Sequence, residues 1–318
     1  MAQPSRPALP SGGGWPHRLA LLTSAATLLL IWAGGLVTSL GAGLAVPDWP
    51  TTFGYNMFLF PWSQMVGGIF IEHSHRLLGS LVGFLTILAV ASLWLFEERK
   101  WLRWLGAAAL FLVILQGVLG GLRVLLIKLN LAIVHACLAQ LFFGLMVGIA
   151  LLTSRGWSQG GEAPEALRPG RPALGRLALA TLVLIYLQTI LGAYLRHTGE
   201  RLDAHLAFAA AVTVHVIWLA AKVIRECPER KEAASAANAL WILLVIQLAL
   251  GAGSFLGKYA DWTGPLPLGL LAAITSAHVV VGSLLFAAAL VLLLWLRRAD
   301  APEWASARAD LLSGRSPA

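Results

Sequence analysis

Residues 65–96 read MVGGIFIEHSHRLLGSLVGFLTILAVASLWLF. From Leu77 to Phe96 no side chain is charged. At about 1.5 Å per residue, such a run is long enough for a helix to cross the roughly 30 Å hydrocarbon core of a bilayer. One end of the same stretch carries Glu72, His73, His75 and Arg76. Ionisable groups at membrane depth are costly unless they pair or bind something. The stretch therefore implies a membrane-spanning helix with polar chemistry concentrated at one end.

The rest of the chain follows the same pattern. It is 58% hydrophobic and 12% charged with a mean hydropathy of +0.77, which excludes an ordinary soluble domain. Eight spans are expected, at roughly 18–40, 65–96, 104–123, 129–153, 174–195, 203–224, 236–257 and 267–297. Both termini then share a side. On that side fall Arg99, Lys100 and Arg103, the linker arginines from Arg155 to Arg176, Lys222 to Lys231, and Arg297 onward. The opposite loops hold only Arg123, Lys128, Arg196, Arg201 and Lys258. The positive-inside rule places both termini in the cytoplasm of a cell-membrane protein. The net charge of +8 is accounted for by this orientation and does not call for nucleic acid. The first apolar run has signal-peptide features, but its length and its counterpart later in the chain argue for a retained helix. Cys137 lies within span four and Cys227 in a cytoplasmic loop, so no outer disulfide is expected within the chain.

A repeat organises the spans. Ala33-Gly34-Gly35 in span one is matched by Leu191-Gly192-Ala193 in span five. Gln116 to Gly121 in span three is matched by Gln247 to Ala252 in span seven, and Gln188 stands three residues before Leu191. Small residues let helices approach closely and an intramembrane Gln can bond across the interface, so helix packing alone is one reading of these residues. Their recurrence implies an all-α integral membrane protein of two pseudo-symmetric four-helix bundles. The expected units are 1–155 and 173–318, joined by a Gly/Pro-rich cytoplasmic linker at 156–172. A long outer loop, about 38–64, occurs only in the first half.

Four histidines repeat with the helices. His75, His135, His205 and His278 lie near the starts of the even-numbered spans and are followed four residues later by Gly79, Ala139, Ala209 and Gly282. Residues at i and i+4 share a helix face, so a small side chain there leaves room for a flat macrocycle against the imidazole. Neutral imidazole is a common haem-iron ligand, and two facing pairs imply two haem-sized sites toward the outer leaflet. Burial in packing or hydrogen bonding is the competing reading of each. His73 faces nearly the opposite way from His75. His215, about 15 Å deeper than His205, is the rival ligand in span six. His197 is expected in an outer loop and His17 before span one, in solvated or interfacial roles.

Glu72 precedes His75 by three residues on the same face. It is read as a catalytic carboxylate near the site of His75, against a helix-start acid that caps or is solvated. No acid stands three residues before His205, so the first site is the expected place of chemistry. Arg76 and Arg196 are read either as partners for haem propionates or as side chains snorkelling to headgroups. Trp62, Trp101, Trp104 and Trp262 are read as interfacial anchors.

Glu72-His73-Ser74-His75-Arg76 resembles the E-x-x-H-R motif of the haem A synthase family. Gly43-Leu44-Ala45-Val46-Pro47-Asp48-Trp49-Pro50 resembles its outer-loop G-L-x-x-P-D-W-P sequence, and Arg196-His197-Thr198-Gly199 is similar to a motif after span five. The resemblance covers about residues 20–296 and is more specific in the first half. It implies oxidation of the C8 methyl of haem O to the formyl of haem A by successive hydroxylations. It further implies that His75 and His135 frame the substrate, with Arg76 beside it, that Glu72 supports oxidation, and that His205 and His278 ligate the iron of a haem b cofactor. It points to haem O synthase and a cytochrome oxidase subunit as partners and leaves homo-oligomerisation open. Two departures stand out: Val46 occupies a position where many bacterial members have a Cys, and the His-Arg pair of span six is here His205-Leu206. A dihaem b-type cytochrome that oxidises quinol and a non-catalytic haem carrier or assembly factor are the alternative functions.

Overall fold

A computed structural model describes residues 13–159, 171–259 and 266–298. Long apolar runs become long helices because, without water, the backbone must satisfy its own hydrogen bonds. They are α1 (Trp15–Ser39), α2 (Gly67–Phe96), α3 (Lys100–Leu126), α4 (Leu129–Leu152), the short α5 (Arg155–Gln159), α6 (Arg171–Thr198), α7 (Leu202–Glu226), α8 (Lys231–Tyr259) and α9 (Leu268–Arg298). All but α5 are long and apolar enough to cross a membrane. The eight expected spans are all present, and the chain is a multi-pass membrane protein.

Hydroxyl side chains inside the helices are satisfied locally. Thr23, Thr27, Thr86 and Ser283, among others, donate to the carbonyl four residues earlier. Among the described residues, the connections α2–α3, α3–α4, α6–α7 and α7–α8 are short and the first is long. Ile127, at φ 53°, turns the chain between α3 and α4, while Gly199 and Arg201, at φ 77° and 64°, do so between α6 and α7. The loop from Leu40 to Val66 is long and contains two single 3₁₀ turns and a bridge between Thr52 and Tyr55.

Two differences from the sequence reading concern ends of elements. Helix α5 forms where a linker was expected, with Ser154 Oγ accepting from the Trp157 N–H at its start. His197 lies in the last turn of α6 rather than in a loop. Trp262 and most of the linker fall outside the described residues.

Helices α1 to α4 pack on their chain neighbours, with α1 against α4. Helices α6 to α9 do likewise, with α6 against α9. The two sets meet where α9 touches α1 and α4, and where α4 touches α6. Their fully buried clusters share one feature of position. Val82, Ala89, Leu93, Leu102, Ala109 and Ile149 form one, and Val216, Leu219, Val223, Ala237, Leu240 and Leu292 belong to the other. Both lie toward the side on which α1 begins and α9 ends. The four repeated histidines lie in the opposite halves of their helices, toward the long loop, where these clusters do not extend.

Candidate functional site

Each repeated histidine is seated against a glycine of the helix before it. A Cβ on Gly34 would stand 3.0 Å from His75 Cε1, and one on Gly120 would stand 3.3 Å from His135 Cε1. On Gly192 and Gly251 the same atom would be 3.1 Å from Cε1 of His205 and of His278. These glycines, within motifs whose first reading from the sequence is helix packing, leave the room that an imidazole takes. Three of them have a Gln one turn earlier. The Nε2 groups of Gln116 and Gln188 donate to the main-chain carbonyls of His135 and His205, at 3.1 and 3.0 Å. Gln247 Nε2 lies 3.3 Å from His278 Nε2. The Gln-x-x-x-Gly spacing was the available sequence signal, and Leu30 takes the Gln position in α1.

The structure brings His205 and His278 together, with ring centroids 6.5 Å apart and planes at 69°. His75 and His135 lie within electrostatic reach of one another. Among the described residues, Nδ1 of His75, His135 and His278 is buried without a hydrogen-bond partner, as is Oε1 of Gln116, Gln188 and Gln247. Buried polar atoms are rarely left in this state. Beyond His75, Cβ atoms on Gly79 and Gly83 would have nothing within 4 Å, so that face of α2 is open as the sequence suggested. The equivalent space beyond His278 is narrower, because Gln247 Nε2 stands 3.2 Å from a Cβ on Gly282. His215 turns back on its own helix, with Nδ1 2.9 Å from the Ala211 carbonyl oxygen.

Around His75 the chain builds a closed polar assembly. Glu72, 3% exposed, accepts from the Val46 N–H at 3.0 Å and from Arg76 Nη2 at 2.9 Å. Arg76 also donates from Nη2 to the Val46 carbonyl, and from Nη1 to those of Asp48 and Thr51. Its four Nη protons are therefore committed to Glu72 and the loop. In this structure Arg76 therefore ties Glu72 to the loop, beside the roles of propionate partner or snorkelling side chain expected for it. His73, 1% exposed, approaches Thr52 Oγ1 through Nδ1 at 3.1 Å and packs on Phe60. Trp49 lies so close to Gly121 that a Cβ there would collide with the indole, and the Arg123 guanidinium is equally close to Gly43. The long loop is thus pinned to α2 and α3 beside His75. Val46 contributes its backbone N–H and carbonyl to this anchoring. Neither Cys137 nor Cys227 is in a disulfide among the described residues, and both are buried.

Asp48 organises the loop itself. Its carboxylate accepts from the Thr51 hydroxyl and the N–H groups of Phe53 and Gly54. Burial opposes ionisation, but these bonds together prevail and hold the carboxyl below its usual 3.8. A depressed folded pKa contributes stability above the unfolded value that disappears as pH falls through the folded one. Amide exchange at Phe53 and Gly54, corrected for intrinsic rates, should therefore be slow at pH 5 and accelerate below about pH 3.8. Asp48→Asn should remove most of that pH dependence.

The other polar residues serve as ties. Arg196 donates to the carbonyls of Gly35 and Thr275 and to Ser39 Oγ, joining α6 to α1 and α9, so its Nη groups are occupied rather than snorkelling. His17 meets the Ala150 carbonyl at 2.8 Å, joining α1 to α4. Trp62, Trp101 and Trp104 are exposed, as anchors should be.

Residues 17–204, which hold the Glu72 assembly, its loop, His75 and His135, match the model of the cytochrome oxidase assembly protein family COX15-CtaA. The chain belongs to this family. Relatives include the heme A synthases of Shouchella clausii (strain KSM-K16), 30% identical over 190 residues, and Alkalihalophilus pseudofirmus (strain ATCC BAA-2126 / JCM 17055 / OF4), 30% identical over 193. Each alignment covers 58% of this chain and 60% of the relative. The heme A synthase of Symbiobacterium thermophilum (strain DSM 24528 / JCM 14929 / IAM 14863 / T) is 28% identical over 187 residues, 57% of the chain and 59% of its own length. The chain thus spans about 60% of the length of these COX15-CtaA relatives, and the family match ends just before His205.

Proposed function

We propose that the protein is a haem A synthase of the cell membrane, an oxidoreductase that converts the C8 methyl of haem O to a formyl group by successive hydroxylations. The observation that carries this reading is the buried Glu72, one turn from His75 and enclosed by the loop, within the region that matches the family. Residues 1–155 form the substrate unit and 173–318 a second four-helix unit, joined by 156–172. The excess of Lys and Arg on one side supports an orientation with both termini in the cytoplasm and the histidines toward the outer leaflet.

In the first unit His75 and His135 hold the substrate macrocycle, with Gly79 and Gly83 leaving room for its plane. Nδ1 of neither imidazole is bound to a carboxylate among the described residues, which suits neutral iron ligands. Glu72 takes a proton as water adds at the oxidised methyl carbon, and the loop excludes bulk water. The second unit suits a haem b between His205 and His278. Their rings already lie together, with centroids 6.5 Å apart, and Gln188 and Gln247 lie against them. When bound, this group supplies one-electron transfer away from the substrate site.

Co-expression with a haem O synthase under aerobic conditions, followed by pigment extraction and mass analysis, tests the assignment. Haem A should accumulate with the wild-type chain. Haem O alone would refute the synthase reading and leave a carrier or an electron-transfer cytochrome.

A further inference from the structure

Resting on that reading of the first site, we infer that Arg123 is its anion-binding group and takes a carboxylate on the edge of the bound macrocycle. Arg123 lies in the last turn of α3, three residues beyond Gly120, whose Cα faces His135. That spacing puts it on the same helix face, one turn nearer the loop. Its partly buried side chain lies within electrostatic reach of Glu72, Arg76, His75 and His135. Arg76 already satisfies Glu72 and spends its Nη protons on the loop. The guanidinium of Arg123 has no hydrogen bond or ion pair among the described residues.

The local charge is therefore unbalanced, with one carboxylate facing two guanidiniums, and the surplus belongs to Arg123. A partly desolvated guanidinium without a hydrogen-bonded partner is expensive, whereas one that receives a carboxylate forms strong charge-assisted bonds. The chain makes room for it specifically. Gly43, in the loop, lies against Nη2 so closely that any side chain there would displace the group. Open space at Gly79 and Gly83 runs from His75 away from the loop, while Arg123 stands on the loop side. A planar ligand on the histidines would thus have its apolar body along α2 and an acidic edge at Arg123. The ligand class is a metal macrocycle carrying at least one free carboxylate.

The test uses the full chain in neutral detergent, with His205→Ala and His278→Ala so that only the first site is read. Iron protoporphyrin IX and its dimethyl ester are titrated and followed by Soret absorbance. Arg123→Gln should weaken binding of the free acid by about ten- to a hundredfold and leave the ester unchanged. Arg123→Lys should recover part of the loss, and Gly43→Ala should reproduce it with Arg123 still present. Equal weakening of acid and ester, or no weakening of the acid, would overturn the inference. Competition by phosphatidylglycerol that depends on Arg123, without discrimination between acid and ester, would assign the site to a lipid phosphate instead. Soret binding of neither porphyrin, or binding insensitive to His75→Ala, would reject the underlying haem reading of the first site.

Discussion

Glu72→Gln should lower haem O conversion by about 10²–10⁴-fold, the usual contribution of a positioned acid–base group, while leaving the outer loop in place. The separation of effects follows from geometry. Glu72 uses one oxygen for the Val46 N–H and the other for Arg76, so it anchors the loop in addition to the role at the reaction site proposed for it. Glutamine keeps a side-chain oxygen that can accept from either donor, but it cannot take a proton as the carboxylate does. Glu72→Ala removes both functions. It strands a buried guanidinium, and breaking such a pair costs about 3–5 kcal/mol. Extracted-pigment analysis should find both variants deficient, while exchange of the loop amides around Val46 should rise sharply in Glu72→Ala alone. Wild-type conversion by Glu72→Gln would eliminate the proton-accepting role. Exchange as fast in Glu72→Gln as in Glu72→Ala would show that the activity loss reports loop opening.

This dual role marks where sequence reasoning reached its limit. Spacing showed that Glu72, His75 and Arg76 share one end of a helix, because helical periodicity is local. The capture of Arg76 by the carbonyls of Val46, Asp48 and Thr51 depends on how a long loop folds back, and no period in the chain encodes that. The same distinction separates the two readings of the glycines. Gly79 follows His75 at i+4 and is open as expected, whereas the space beyond Gly282 is taken by Gln247 from another helix. Gly34, Gly120, Gly192 and Gly251 stood in visible motifs. That each faces an imidazole emerged only when α1, α3, α6 and α8 were set against the helices that follow them. The spans themselves were legible because the bilayer imposes length and apolarity on each helix independently of its neighbours.

Removal of either second-site histidine should have the other large effect. His205→Ala and His278→Ala should each abolish the low-spin spectrum of a bis-imidazole haem and lose the bound cofactor, while His215→Ala should retain both. The sequence alone left His205 and His215 as rivals, and the family match stops at residue 204, short of either. Geometry favours His205. His205 faces His278 with ring centroids 6.5 Å apart, and the Gly192 main chain leaves just enough room for it. His215 engages the Ala211 carbonyl of its own helix through Nδ1 and sets its ring against Trp218. Reaching His278 from there would require crossing more than two helical turns, about 15 Å along the axis. Reduced-minus-oxidised spectra and haem-to-protein ratios of the purified variants decide between them. A spectrum that survives His205→Ala but vanishes in His215→Ala would place the cofactor deeper in the membrane and farther from Glu72, making electron transfer between the two sites correspondingly harder to sustain.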